Sequence, residues 1–141
     1  MRLIGAGQRC LELACQRVED RATFGKKLSK HQSIRENIAK SYAELEMARL
    51  LVHKTCWHID HHGVKPSIEL ISATKISVPL MVQAIIDRCM QMHGAGGLTE
   101  DWCMAEQFNY ARWCRQADGP DEVHQMALGK RIIQQYAEVS N

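Results

Sequence analysis

Apolar residues recur at three- and four-residue steps along most of the chain, the period of one face of an α-helix. Leu3, Ile4, Cys10, Leu11, Ala14 and Val18 keep that step and predict a first helix ending near Asp20 or Arg21. The segment RATFGKKLSKHQ, Arg21 to Gln32, then has the glycine and lysine content of a loop, with Ser29 positioned to cap the next helix. Ile34, Ile38, Tyr42, Leu45, Ala48, Val52 and Ile59 draw a second stripe, stopped by Gly63 and Pro66. A third helix opens at Ser67. Ile71, Val78, Val82, Ile85, Cys89 and Met92 line one of its faces, while Leu80, Met81 and Ile86 make the other faces apolar too, so it is expected deepest in the core. Pro79 removes one backbone hydrogen bond and predicts a bend, or failing that a break. HGAGG stops this helix at Gly94, because its glycines resist helical geometry. Thr99 to Trp113 allows a short fourth helix and Pro120 to about Val139 a fifth, with Pro120 suited to the first turn. No sustained period-two alternation occurs, so no strands are expected. The pattern predicts an all-α protein, an antiparallel up-and-down four-helix bundle with a short connecting helix.

Composition narrows the function. A chain of 141 residues, 45% hydrophobic and 24% charged, fits one domain with one core and leaves no room for separate cofactor and substrate domains. Eighteen Lys+Arg against sixteen Asp+Glu give a formal +2 with no long basic run, which argues against nucleic acid as a partner. The most apolar stretch, Ile76 to Met92, is interrupted by Gln83, Asp87, Arg88 and Gln91, so no membrane span is expected. The opening MRLIGAGQRC lacks the continuous apolar run of a signal peptide. Six cysteines fall at helical spacings without a CxxC pair, the usage of reduced thiols in the cytoplasm or an organellar matrix.

Four segments carry candidate chemistry, each with a plainer reading beside it. His58, His61 and His62 share the end of the second helix at a spacing that could bind zinc, yet imidazoles there also suit the negative helix end, and no metal is expected. No Glu-x-x-His occurs, which excludes a ferritin-like di-iron centre. Arg21, Lys26, Lys27 and Lys30 could hold a phosphate, and Phe24 adds a flat face suited to a nucleotide unless it only plugs the bundle end. QMHGAGGL lets a backbone approach something closely, or simply turns the chain between helices. In ADGPDEVH, Asp118 reads as the cap of the last helix, whose first turn carries Asp121 and Glu122.

Taken together, three of these segments resemble the C-terminal helical domain of the acyl-CoA dehydrogenases. RATFGKKLSKHQ is similar to that family's arginine, aromatic-glycine and His-Gln signature, QMHGAGGL to its glutamine and glycine motif, and ADGPDEVH to its catalytic-carboxylate loop. The resemblance implies a C-terminal domain over residues 1–141 whose partner domains, an N-terminal helical one and a middle β-domain, are absent here. It implies FAD as cofactor, an acyl-CoA thioester as substrate, an electron-transfer acceptor, and a homo-oligomer, dimer or tetramer, in fatty acid β-oxidation. Arg21, Phe24, Gln32, Gln91, Gly94, Gly96 and Gly97 would contact the FAD of a neighbouring subunit, and Asp118 would remove the proton α to the thioester carbonyl.

Most of the family carries glutamate at that last position. Aspartate is one methylene shorter, and the wording ADGPDEVH looks most like the subgroup with aspartate, some members of which act on hydroxylated acyl-CoAs. Ala95, Ala117 and Pro120 also depart from the usual pattern. The resemblance leads us to expect a chain that folds and associates but neither holds FAD tightly nor turns over acyl-CoA alone. The alternative is a non-catalytic helical oligomerisation domain in which the same motifs are relics.

Overall fold

The computed structural model describes residues 1–139. Its elements are α1 (Arg2–Asp20), a minimal hairpin of β1 (Ala22–Thr23) and β2 (Lys26–Lys27), α2 (Gln32–His62), α3 (Ile68–His93), α4 (Met104–Cys114) and α5 (Asp121–Val139). Short 3-10 turns at Leu28–Lys30, Lys65–Ser67 and Gly94–Leu98 join them. The protein is all-α, with α1 to α4 forming an up-and-down bundle.

Contacts between named side chains fix the helix directions. Gly7 of α1 lies against Val82 of α3 and Leu45 of α2, and Arg17 further along α1 acts on His93 at the end of α3, so α1 and α3 run parallel. Arg88 of α3 bonds Ser41 and Glu44 of α2, whereas Thr55 of α2 bonds Thr74 and the Leu70 carbonyl of α3, so that pair is antiparallel. Helix α4 ends with the Cys114 carbonyl at Lys75 and so descends along α3. Helix α5 leaves that region and reaches Glu69, near the start of α3, through Gln135.

The core follows the apolar stripes. Ile4, Cys10 and Ala14 of α1, Ala48 of α2, Val82, Ile85, Ile86 and Cys89 of α3, and Met104 and Ala111 of α4 are essentially inaccessible. Each large side chain among them contributes about 1.5–3 kcal/mol of apolar burial. Arg88 and Glu44, both largely buried, fasten α3 to α2 with the buried Ser41 hydroxyl as a further acceptor.

Several local expectations are corrected. A two-residue-per-strand hairpin forms where a loop was expected, because Phe24 (φ 51°) and Gly25 (φ 77°) both take the left-handed conformation that a two-residue turn needs. Ser29 does not cap α2; it lies in a 3-10 turn, and His31 precedes the helix without a side-chain cap. Helix α3 is continuous through the buried Pro79, so the break offered as the alternative to a bend does not occur. The glycine segment after α3 forms a 3-10 turn, entered through Gly94 (φ 65°). Helix α4 starts at Met104, five residues later than expected, because the Thr99 hydroxyl bonds the Gly96 carbonyl and Asp101 and holds this stretch in turns. Pro120, not Asp118, offers its carbonyl to the first turn of α5.

By length and composition alone, a window within Lys65–Leu98 reaches a mean hydropathy of 1.4 and is apolar enough to cross a bilayer, against the sequence expectation. Here α3 is the central element, packed against each of the other four helices.

Candidate active site and cofactor face

The Asp118 loop joins α4 to α5, and its backbone is held at several points. Asp118 has φ 56° and Gly119 has φ 100°, two successive left-handed residues that reverse the chain. Aspartate tolerates that region better than most residues, though at some cost. The Lys75 ammonium donates to the carbonyls of Cys114 (2.7 Å) and Gly119 (3.2 Å). His124 Nε2 lies 3.2 Å from the Asp118 carbonyl and donates to it. Arg115 donates to Asp121 (2.6 Å) and to Gln83 of α3 (3.2 Å).

The Asp118 carboxylate itself has no hydrogen-bond or ion-pair partner among the described residues, and the side chain is exposed. It fronts a cleft of about 320 Å³ whose walls include Leu3, Val52, Thr74, Lys75, Val78, Tyr110 and Trp113.

The other residues singled out in the sequence gather at the opposite end of the bundle. Arg21 ends α1, exposed, its carbonyl accepting from the Leu28 amide. Phe24 sits at the hairpin tip, 96% exposed, so it does not plug the bundle. The hairpin is tied back by Lys27 to Glu19 at 3.0 Å. Gln32 is exposed at the start of α2 and donates to Glu36 at 2.7 Å. Gln91 is exposed in the last turn of α3, and its carbonyl accepts from the Gly94 amide.

The glycines of the turn differ in role. A side chain at Gly94 would meet nothing, but the residue needs its positive φ. Gly96 faces the Trp102 indole. Gly97 is buried, and a Cβ there would fall 2.7 Å from the Met90 carbonyl oxygen, so this glycine serves the close packing of the turn on α3.

Lys75 and Gln91 are sixteen residues apart on one helix, about 24 Å at 1.5 Å per residue. The structure therefore does not bring Asp118 together with Arg21, Phe24, Gln32 or the Gln91 turn within one chain.

Two residues near these sites escaped the sequence reading. Lys75 belongs to no motif; it is one of two cations, with Arg88, in the most apolar helix. His93, 5% exposed, donates from Nδ1 to the Cys89 carbonyl and packs edge-on against Trp102, leaving Nε2 buried without a partner among the described residues. Burial holds its imidazole below the ordinary value of 6.5; Arg17 adds to this and the Cys89 hydrogen bond opposes it. The histidines at the end of α2 have structural tasks: His58 bonds the Ser67 hydroxyl, and His61 bonds the Trp57 carbonyl and stacks on its ring. Among the described residues no three His, Cys, Asp or Glu side chains are grouped to hold a metal.

The family model for the acyl-CoA dehydrogenase C-terminal domain matches residues 1–133. The chain belongs to that family. Acyl-CoA dehydrogenase family member 10 of Mus musculus is 45% identical over 130 residues, 92% of this chain and 12% of that protein. A solved structure from Mycobacterium abscessus, described as an acyl-CoA dehydrogenase, is 40% identical and overlays with a TM-score of 0.94, covering 96% of this chain and 33% of that one. A glutaryl-CoA dehydrogenase of Mycobacterium smegmatis in complex with FADH2 is 28% identical with a TM-score of 0.86, covering 92% of this chain and 33% of that one. The chain spans no more than a third of the curated relatives named first among its matches. In this acyl-CoA dehydrogenase domain, the carboxylate loop and the arginine, glutamine and glycine signatures thus lie at opposite ends of the central helix.

Proposed function

We propose that this domain serves an FAD-dependent acyl-CoA dehydrogenase that oxidises the α,β carbon–carbon bond of an acyl-CoA thioester, with Asp118 as its base. The observation that carries the reading is the Asp118 turn, whose backbone is pinned while its carboxylate stays free at the mouth of a largely apolar cleft. A thioester seated there would present its α C–H to that carboxylate. The carboxylate takes the proton, and the C–H electron pair becomes the new double bond as hydride leaves the β carbon. FAD, when bound, supplies the acceptor for that hydride. The apolar wall offered by Val52, Val78 and Trp113 excludes water on one side, and the rest of the enzyme would close the other. The wording of the loop favours the subgroup with aspartate as base, and so a substrate class that includes hydroxylated acyl-CoAs.

The opposite end suits an FAD from a neighbouring subunit. Arg21 is an exposed guanidinium without an ion pair among the described residues, matched to a pyrophosphate. Phe24 offers a free ring, and Gln91 both a donor and an acceptor. Gln32 fits once its amide leaves Glu36, and the Gly94 and Gly96 backbone is open on the turn. Gly97 fits less directly, since its missing side chain makes room for Met90. On this reading the enzyme is a homo-oligomer, dimer or tetramer, which passes electrons to an electron-transfer acceptor. The six free thiols support a reducing compartment, the cytoplasm or an organellar matrix. The isolated domain neither retains FAD tightly nor turns over acyl-CoA.

A second reading, a non-catalytic oligomerisation domain, is favoured by α5, where Val123, Met126 and Ile133 are half or more exposed on a helix with little buried surface. One experiment separates the two. The full-length protein carrying this domain is purified and offered butyryl-, octanoyl-, palmitoyl- and 4-hydroxydecanoyl-CoA with a dye acceptor. A yellow protein whose turnover falls about 10²–10⁴-fold in Asp118→Asn, with flavin retained, is the expected result. Unchanged turnover in that variant refutes the assignment, and a yellow, active isolated domain refutes the expectation for the fragment.

A further inference from the structure

We infer that Lys75 is a positioning residue for Asp118, fixing the backbone on both sides of the carboxylate. The inference rests on the reading of Asp118 as base.

Asp118 and Gly119 hold left-handed geometry in succession, and such a turn persists only when its surroundings over-determine it. The carbonyl of Cys114 is one of the last in α4, which no helical amide can satisfy, and that of Gly119 follows the base directly. A single ammonium takes both, at 2.7 and 3.2 Å, closing the loop as a bracket whose open side carries Asp118. The bracket is mounted on α3, the best-buried helix, between Ser72 and Val78. That choice of residue is informative. A lysine in so apolar a helix would ordinarily be met by a carboxylate, yet none lies within 4.0 Å of Lys75 among the described residues.

Its charge therefore faces two carbonyls and the cleft that Asp118 also lines. The same ammonium holds the loop at a set height. His124 and Arg115 steady the loop from α5 and from the loop itself, but only Lys75 reaches it from the central helix with a charge directed at the cleft. Arg115 spends its charge on Asp121.

The test uses the full-length flavoenzyme and whichever of the four thioesters above it turns over fastest. Lys75→Met and Lys75→Gln are expected to lower kcat by about 10²-fold, the scale of an ångström-sized misplacement, with KM changed much less. Lys75→Arg, which keeps charge and donors, should recover most of the rate. If Lys75→Met fails to fold, Lys75→Gln and Lys75→Arg carry the comparison. A Lys75→Gln enzyme that loses thermal stability but keeps the wild-type kcat overturns the inference and leaves Asp118 as base intact. Full activity in Asp118→Asn overturns both together.

Discussion

The most direct test of the packing described here is Gly97→Ala. A Cβ built at Gly97 falls 2.7 Å from the Met90 carbonyl oxygen, 2.9 Å from the Met90 Cα and 3.2 Å from the His93 Cβ. Non-bonded carbons rest at about 3.5–4.0 Å, so the shortfall is roughly 0.6 Å or more against two backbone atoms. The last turn of α3 cannot yield by rotating a side chain. It must move, or the 3-10 turn must lift away, and overpacking of this kind costs about 1–3 kcal/mol. We place Gly97→Ala in the upper half of that range, about 2–3 kcal/mol, because the obstacle is main chain. For a domain of this size a midpoint moves about 3–4 °C per kcal/mol, so the expected loss is roughly 6–12 °C. Two controls separate space from backbone conformation. Gly94→Ala meets nothing within 4 Å but must hold φ 65°, for a cost of about 1 kcal/mol. Gly5→Ala, on an open face of α1, should stabilise by about 0.5–1 kcal/mol. Thermal unfolding followed by far-ultraviolet circular dichroism gives all three. A Gly97→Ala midpoint at or above that of Gly94→Ala would show that the turn does not press on Met90 as described.

Two further outcomes follow from the buried titratable groups. Burial pushes the Cys10 and Cys89 thiols up to about 12, so at neutral pH only about one part in 10⁵ is thiolate. In native protein iodoacetamide should therefore modify the exposed Cys56 first, with Cys10 and Cys89 labelled only after unfolding; mass spectrometry showing Cys89 modified at the Cys56 rate would contradict the packing. His93 has a folded-state value below 6.5, so below that pH the unfolded chain binds the proton more readily. Its contribution is complete above pH 6.5 and is lost as the pH falls toward the folded value. The urea midpoint should drop between about pH 7.5 and 5.5 more steeply in wild type than in His93→Gln, and equal slopes would remove His93 from the account.

The long helices were legible because each repeats its apolar residues over several turns and ends at Gly63, Gly94 or another strong breaker. The hairpin was not, since two residues per strand carry no period; its only signal was Gly25, suited to left-handed geometry, beside a Phe24 that is not. Thr99 to Cys103 read as helix because propensity takes no account of the Thr99 hydroxyl, which bonds backward to Gly96. Asp118 read as a cap for a similar reason: capping and left-handed turns both favour aspartate, and only the Lys75 bracket decides between them.

Residue chemistry at both ends of the bundle was visible through the family signatures, but their separation was not, because helix direction depends on which faces pack. With α1 and α3 parallel and α4 antiparallel, the Arg21, Gln91 and Gly94 groups must share one end and the Asp118 loop the other. At about 24 Å along α3, one chain cannot apply both groups to the same reacting bond. If both act in catalysis, each belongs to a separate site, and on the proposed reading a second copy and the rest of the enzyme complete each one. Disruption of the oligomer should then cost flavin affinity even where Asp118 and its cleft are untouched, a coupling that a base working wholly within its own subunit would not produce.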